Sequence, residues 1–258
     1  MLAVEVVKVG VGFAVLLWAS YHDWKKREVP NVVWVVFLPV AAVLTIFETY
    51  TMGFSMEFNF LQLLSVGVST AIFVAISYVG LWGGADSKAL IGLAILFPHP
   101  PLLSDPPLGY TLPAFPLVVF IDSLIISLAA IPYAVASNIV WRSRTGRSLF
   151  EGYGDVPLTR KIGALALCVK KRSAEVKPYD ILAEEPNVGS GNCLRKLVLF
   201  RKVEEDYQPP KGEGQPEYVF ITAAVPMLIF ITLGFMAALL LGDVLFWVIA
   251  NLATTAQT

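Results

Sequence analysis

Asp23 and Asp86 are the residues of this chain whose type and placement allow chemistry as a pair. Each stands where an apolar run gives way to polar sequence, in the strings Ser20-Tyr21-His22-Asp23-Trp24-Lys25-Lys26-Arg27-Glu28-Val29-Pro30-Asn31 and Gly83-Gly84-Ala85-Asp86-Ser87-Lys88-Ala89-Leu90. An ionisable group at membrane depth is expensive to hold there, so it marks function by default. Two carboxyls within hydrogen-bond reach do not both ionise easily, and such a pair shares one proton. The ionised member can take a proton from water while the protonated member polarises a carbonyl. The tetrahedral intermediate then collapses as the proton passes to the departing amine. This is peptide hydrolysis without a metal, a cofactor or a nucleophilic side chain. Gly83 and Gly84, lacking a Cβ, would leave room beside Asp86 for a substrate strand or a neighbouring helix.

Each aspartate also has a plainer reading. Asp23 fits a solvated turn of alternating charge, and Asp86 fits the N-cap of a helix over Ser87–Phe97. Their joint placement on one side of a membrane, each in its own string, favours chemistry.

The elements that must position them are membrane spans. The 258 residues are 56% hydrophobic and 15% charged, with a mean hydropathy of +0.68, which is too apolar for an ordinary soluble domain. Apolar runs cover residues 2–21, 32–50, 60–82, 117–140 and 217–250, each close to or beyond the roughly 20 residues a helix needs to cross the hydrocarbon. A sixth run, Gly83 to Phe97, would rise only about 22 Å as a helix, so it must start within the membrane or meet a thinned bilayer. Pro98, Pro100 and Pro101 end it. The first run, Leu2 to Ala19, has no basic n-region and reads as a retained span.

Basic residues set the orientation, because short cytosolic loops retain positive charge. Of the 19 Lys and Arg, all but Lys8 fall in Lys25–Arg27, at Lys88 or between Arg142 and Lys211. Six spans with both termini outside satisfy this pattern and put Asp23 and Asp86 on the cytosolic face. The fold expected is an all-α polytopic membrane protein of about six helices with a small mixed α/β cytosolic insertion. Its membrane domain covers 1–140, the insertion 141–216, and the sixth span with an outer tail 217–258. Within the insertion, Ile162–Val169 and Leu194–Phe200 are short apolar runs bounded by Lys or Arg and suit strands. Glu204–Gln215, dominated by acidic residues, Pro and Gly, suits a linker.

Other polar features read as structural. Gly152-Tyr153-Gly154-Asp155 repeats a Gly-x-Gly-Asp string, but charged neighbours and Pro157 favour a surface turn. Asp122 suits helix capping, a contact with Ser123 or a polar cavity, and His22 suits a packed interfacial ring. Cys168 and Cys193 lack the companions of a metal site or disulfide framework. With a net charge of −1, nothing points to nucleic acid.

The two aspartate strings resemble those of archaeal preflagellin and type IV prepilin peptidases, which are GxGD-type membrane aspartyl proteases. The first motif is matched by Asp23, Arg27, Val29, Pro30 and Asn31, and the second, Gly-x-Gly-Asp-x-Lys, by Gly83, Asp86 and Lys88. Ala85 replaces the third-position glycine. The resemblance covers roughly 1–140 and 217–250. It implies catalysis by Asp23 and Asp86, with Gly83, Gly84 and Lys88 in support and no cofactor or metal. It also implies precursor substrates with a short basic leader ahead of a hydrophobic helix, cut at the cytosolic membrane face, where Glu28 could meet the leader. Nothing matches the four-cysteine domain of the larger methylating relatives, so peptidase activity alone is expected. Oligomeric state is left open.

Two competing readings stay open. A presenilin-like intramembrane protease would place Tyr beside the first aspartate, whereas His22 separates Tyr21 from Asp23, and it would need more spans. A transporter or scaffold could also bury carboxylates, but both aspartates sit at one face and not along a pathway.

Overall fold

The structure, a computed structural model, describes residues 2–53, 55–80, 82–103, 105–153, 156–177, 180–186, 195–199, 216–222 and 226–255. Cys193, Gly154, Asp155 and the expected linker at 204–215 lie outside these. Two compact units emerge. Unit 1 comprises Met1–Ser127 and Pro226–Thr258, and unit 2 comprises Leu128–Val225.

Unit 1 is helical: α1 (Leu2–Lys26), α2 (Asn31–Met52), α3 (Met56–Tyr78), α4 (Gly84–Leu96), α5 (Phe115–Ser127), α8 (Met227–Leu240) and α9 (Val244–Thr255). Among the described residues four helical segments are long and apolar enough to cross a membrane. They are Leu2–Lys26, Asn31–Met52, Met56–Tyr78 and Phe115–Thr145, and α8 with α9 would make a fifth span bent by 65°. The chain is therefore a mostly helical, multi-pass membrane protein.

The short run after Gly83 is helical as expected, and packing explains how 13 residues suffice. Ser87, Ala89, Leu90, Gly92, Leu93, Ala94 and Leu96 are all buried, and α1, α2, α3, α5 and α8 all pack on α4. A helix apolar on every side belongs inside a protein, so α4 is sheathed by helices and need not match the bilayer. Small residues allow these approaches. A Cβ on Gly92 would stand 2.2 Å from the ring of Phe37 on α2, and one on Gly234 of α8 would stand 2.2 Å from Ser123 Oγ on α5. The aromatic centre of the core stacks Phe235 against Phe13, Phe97 and Phe115.

The end of unit 1 away from the aspartates is tied by polar contacts. Lys8, the basic residue that no cytosolic loop accounts for, is buried and ion-paired with Glu48 of α2. Glu5 accepts the Leu102 amide at 2.8 Å. Asp243, at the break between α8 and α9, accepts the Thr111 and Leu112 amides at 2.6 and 3.0 Å. That break corrects the single span expected over 217–250. Its first residues form a strand, Tyr218–Thr222, Pro226 starts α8, and Gly242, at φ +93°, allows the turn into α9.

Unit 2 contains α6 (Ala130–Thr145), α7 (Leu158–Leu167) and four short strands, β1 (Cys168–Arg172), β2 (Glu184–Pro186), β3 (Arg195–Leu197) and β4 (Tyr218–Thr222). β1 pairs antiparallel with β4, from Cys168 opposite Thr222 to Arg172 opposite Tyr218, and β2 pairs antiparallel with β3. The strand expected over Ile162–Val169 is instead helix as far as Leu167. Leu, Ala, Lys and Arg are strong helix formers, and Pro157 supplies the start signal. β3 lies where the second strand was expected. Alternation along the β1–β4 pair makes two small cores: Cys168 and Phe220 join Leu149, Tyr153, Ala164, Ala183 and Leu197, whereas Val219 and Ile221 join Leu182.

A buried polar cluster braces the first of these cores. The carboxylate of Glu184 accepts hydrogen bonds from the Tyr153 hydroxyl and the Phe220 amide, and from Arg195 at 3.3 Å. Lys170 Nζ donates to Tyr153 at 3.0 Å and lies 4.1 Å from the centre of the Phe220 ring. Burial pushes the Lys170 ammonium down to about 7, against the pull of Glu184, and pushes the Cys168 thiol up to about 12. The unfolded chain therefore holds Lys170's proton up to its ordinary value of 10.5, and the folded chain releases it near 7. Stability rises with pH across that interval until unfolded Cys168 begins to ionise, near its ordinary 9.0. Lys170→Met should flatten this rise. The measurement is the thermal midpoint of Cys168 labelling by a thiol reagent between pH 7 and 9, and an unchanged slope in the variant would assign the effect to other groups.

Candidate active site

The buried residues of α1 run Glu5, Lys8, Gly12, Leu16, Ala19 and Ser20. Asp23 is the next position on that stripe, three to four residues on, so helical geometry points it inward at the end of α1. Its carboxylate faces the Leu228 amide, one of the amides in the first turn of α8 that have no partner within the helix. One turn back, Ser20 Oγ and Thr232 Oγ1 are 2.8 Å apart and fasten α1 to α8. The half-buried Asp23 also faces the charge of Arg27. Arg27 closes the helix in a left-handed conformation, φ 57°, and its amide bonds the Asp23 carbonyl at 3.0 Å.

Asp86 occupies the first turn of α4. It is not the N-cap of the plainer reading, because the helix starts earlier, at Gly84 with Gly83 as N-cap. From the third helical position its Oδ2 reaches back to the Gly83 amide at 3.2 Å, the reciprocal half of a capping box. Each aspartate thus lies at a helix N-terminus, Asp86 on the Gly83 amide and Asp23 beside the start of α8. Both stand at the same end of unit 1, and the charge of Asp23 is felt at the Asp86 carboxyl. Lys88 Nζ donates to Asn31 Oδ1 at 2.7 Å and links the first turns of α4 and α2, so the two sequence strings touch.

The glycines divide. A Cβ on Gly83 would come within 3.0 Å of Asp86 Oδ2, whereas nothing lies within 4 Å of one on Gly84. Gly83→Ala should displace the Asp86 carboxylate; were Asp86 the reacting group that the resemblance implies, kcat would fall about ten-fold with little change in KM, since misplacing such a group by a fraction of an ångström slows the chemical step. Gly84→Ala should remain within about two-fold, because Ala only favours the helix. Equal losses in the two variants, measured on one purified precursor, would refute this assignment.

Glu28 is exposed beyond the end of α1. His22 stacks on Trp18 with ring centres 3.9 Å apart, as a packed ring. Asp122 is buried in α5 beside Val244 and Asp243 at the start of α9, well along the chain from either motif. Sequence reasoning did not anticipate Leu228 or Thr232. Their partners lie more than 200 positions away in the chain, and the signal available was Pro226, a helix start ahead of an apolar run.

The arrangement offers two carboxylates in mutual electrostatic reach at the polar end of a helical bundle, one of them held by a backbone amide. The type IV leader peptidase family matches residues 10–131. The chain is similar to the preflagellin peptidase of Methanococcus voltae, at 28% identity over 90% of this chain and 94% of that protein. It is also similar to the preflagellin peptidase of Methanocaldococcus jannaschii, at 27% identity over 90% and 93% respectively. That of Methanococcus maripaludis is 26% identical over 90% of this chain and 94% of its own length. The segment matched by that family carries both aspartate strings and runs from within α1 through α5.

Proposed function

We propose that this protein is a membrane aspartyl endopeptidase that removes the leader peptide from preflagellin or type IV pilin-like precursors, with Asp23 and Asp86 as its catalytic pair. The observation that supports the reading is the placement of Asp23 and Asp86 at one end of unit 1, within electrostatic reach of each other, in a chain similar to preflagellin peptidases along 90% of its length. The two carboxyls hold one proton between them. The ionised member draws a proton from water, which attacks the scissile carbonyl. The protonated member donates to the carbonyl oxygen, and the intermediate breaks as the amine is protonated. Lys88 and Gly83 position Asp86, and the amide of Leu228 positions Asp23. The substrate is a precursor with a short basic leader ahead of a hydrophobic helix, and the exposed Glu28 meets the leader's charge.

Six spans with both termini outside make up the membrane part, with α4 as the short fourth. Residues 141–216 form the cytosolic insertion, and the active site faces the cytosol. The test of activity is incubation of the purified protein in detergent with a purified preflagellin precursor, read as a mobility shift and by sequencing of the new N-terminus. Release of the leader is expected, and an intact precursor under conditions where the protein stays folded would overturn the reading. Orientation has its own test, in a background with both cysteines replaced by serine. A cysteine at exposed Ser55 should react with an impermeant thiol reagent on whole cells, and one at exposed Ala174 should react only after the membrane is opened. The opposite pattern would put the active site outside.

A further inference from the structure

Unit 2 contains a cleft of about 570 Å³ whose lining includes Arg144, Arg147, Lys170, Lys171 and Arg172, with Glu175 as its one carboxylate. Neighbouring acids neutralise only part of this charge. Arg147 pairs with Glu217 at 2.8 Å, and Lys171 pairs with Asp180 at 2.8 Å. Arg172 donates to the Tyr218 hydroxyl at 3.4 Å, and Arg144 makes no hydrogen bond or ion pair among the described residues. Trp141 and Tyr218, edge to face with ring centres 5.2 Å apart, complete the polar and aromatic wall.

The position of this wall along α6 narrows the choice of ligand. The run Phe115–Thr145 has the length and hydropathy of a membrane span, and α6 exposes Tyr133, Ile139 and Val140 before reaching Trp141, Arg142 and Arg144. Aromatic and then basic residues at the end of an apolar helix mark the depth of the lipid headgroups. A basic pocket at that depth suits a phosphate-bearing headgroup. The volume is that of a small-molecule site, with room for more than one phosphate ion. A basic leader, by contrast, would be repelled.

We propose that this cleft binds the phosphate-bearing headgroup of an anionic membrane lipid. The binding does not depend on the peptidase reading and is measured without any cleavage. The probe is dihexanoyl-phosphatidylglycerol, titrated into the purified full-length protein in non-ionic detergent and followed by native mass spectrometry. Dihexanoyl-phosphatidylcholine and inorganic phosphate serve as the comparison arms. Saturable binding of the anionic lipid is expected, and Arg144→Gln with Arg172→Gln, both exposed positions, should weaken it about ten-fold or more. Glu175→Gln should tighten it several-fold, a gain that a damaged fold cannot imitate. Three results would each overturn the proposal: anionic lipid binding unaffected by these changes, equal binding of the zwitterionic lipid, or inorganic phosphate binding as tightly as the lipid. The last would assign the cleft to a free phosphate compound.

Discussion

Asp23→Asn and Asp86→Asn should each reduce precursor cleavage by at least about 10³-fold, within the range seen when a positioned acid or base is removed. Asparagine separates chemistry from architecture here. At position 86 its side-chain oxygen still accepts the Gly83 amide that holds the carboxylate in place, and at position 23 it still faces the Leu228 amide. It can neither take water's proton nor cycle between acid and base. The single variants should therefore keep the thermal midpoint of the wild type and still bind precursor, whereas Asp86→Ala should also lose roughly 1 kcal/mol of helix capping. Because the proposed mechanism uses the two carboxyls as one unit, the double Asn variant should be no slower than either single one. Multiplicative losses, or substantial turnover by either single variant, would remove the two-aspartate mechanism. Proton-coupled uptake into vesicles would then be the next property to measure.

Lys8→Met should be the most damaging substitution away from the active site, lowering stability by roughly 3–5 kcal/mol because it leaves a buried carboxylate without its cation. Lys8 and Glu48 are each 1% exposed and paired to one another. His99 stands 4.0 Å from the same carboxylate oxygen, and Lys8 also lies 5.0 Å from the centre of the Phe97 ring. Replacing both members, Lys8→Met with Glu48→Leu, should recover most of the loss, since apolar residues of similar volume often substitute for a buried ion pair without penalty. Thermal unfolding of the purified variants in one detergent tests the cycle. If Glu48→Leu adds a further loss of its own, the pair is not the source of the effect.

The polar residues of this chain were easier to interpret than its apolar ones. Asp23 and Asp86 announced themselves because charge at the end of an apolar run is costly, and one-sided basic residues gave them a common face. The same rule left Lys8 unexplained, because its partner Glu48 lies 40 positions away on another helix and pairing across helices leaves no local trace. Short apolar runs were ambiguous between helix and strand. Ile162–Leu167 became helix, and Tyr218–Thr222 became strand where a span was expected. The brevity of α4 was readable, but its cause was not, because burial on every side is a property of its neighbours. Asp86 shows a further limit: the capping role and the proposed catalytic role use one carboxylate, so the two readings the sequence offered are compatible.

The position of α8 in the chain has a consequence for biosynthesis. The Asp23 end of α1 is fastened to α8 through Ser20 and Thr232, and α8 reaches its place on α1 and α5 only after all of unit 2 has been made. A ribosome that has finished α5 has already placed both aspartates in the membrane, yet the wall that orients the first of them does not exist. The order of synthesis thus delays the appearance of a competent protease until the chain is nearly complete. A gene cut within the unit 2 region should yield two silent fragments that regain cleavage when made together, provided the second fragment carries Pro226 and everything after it.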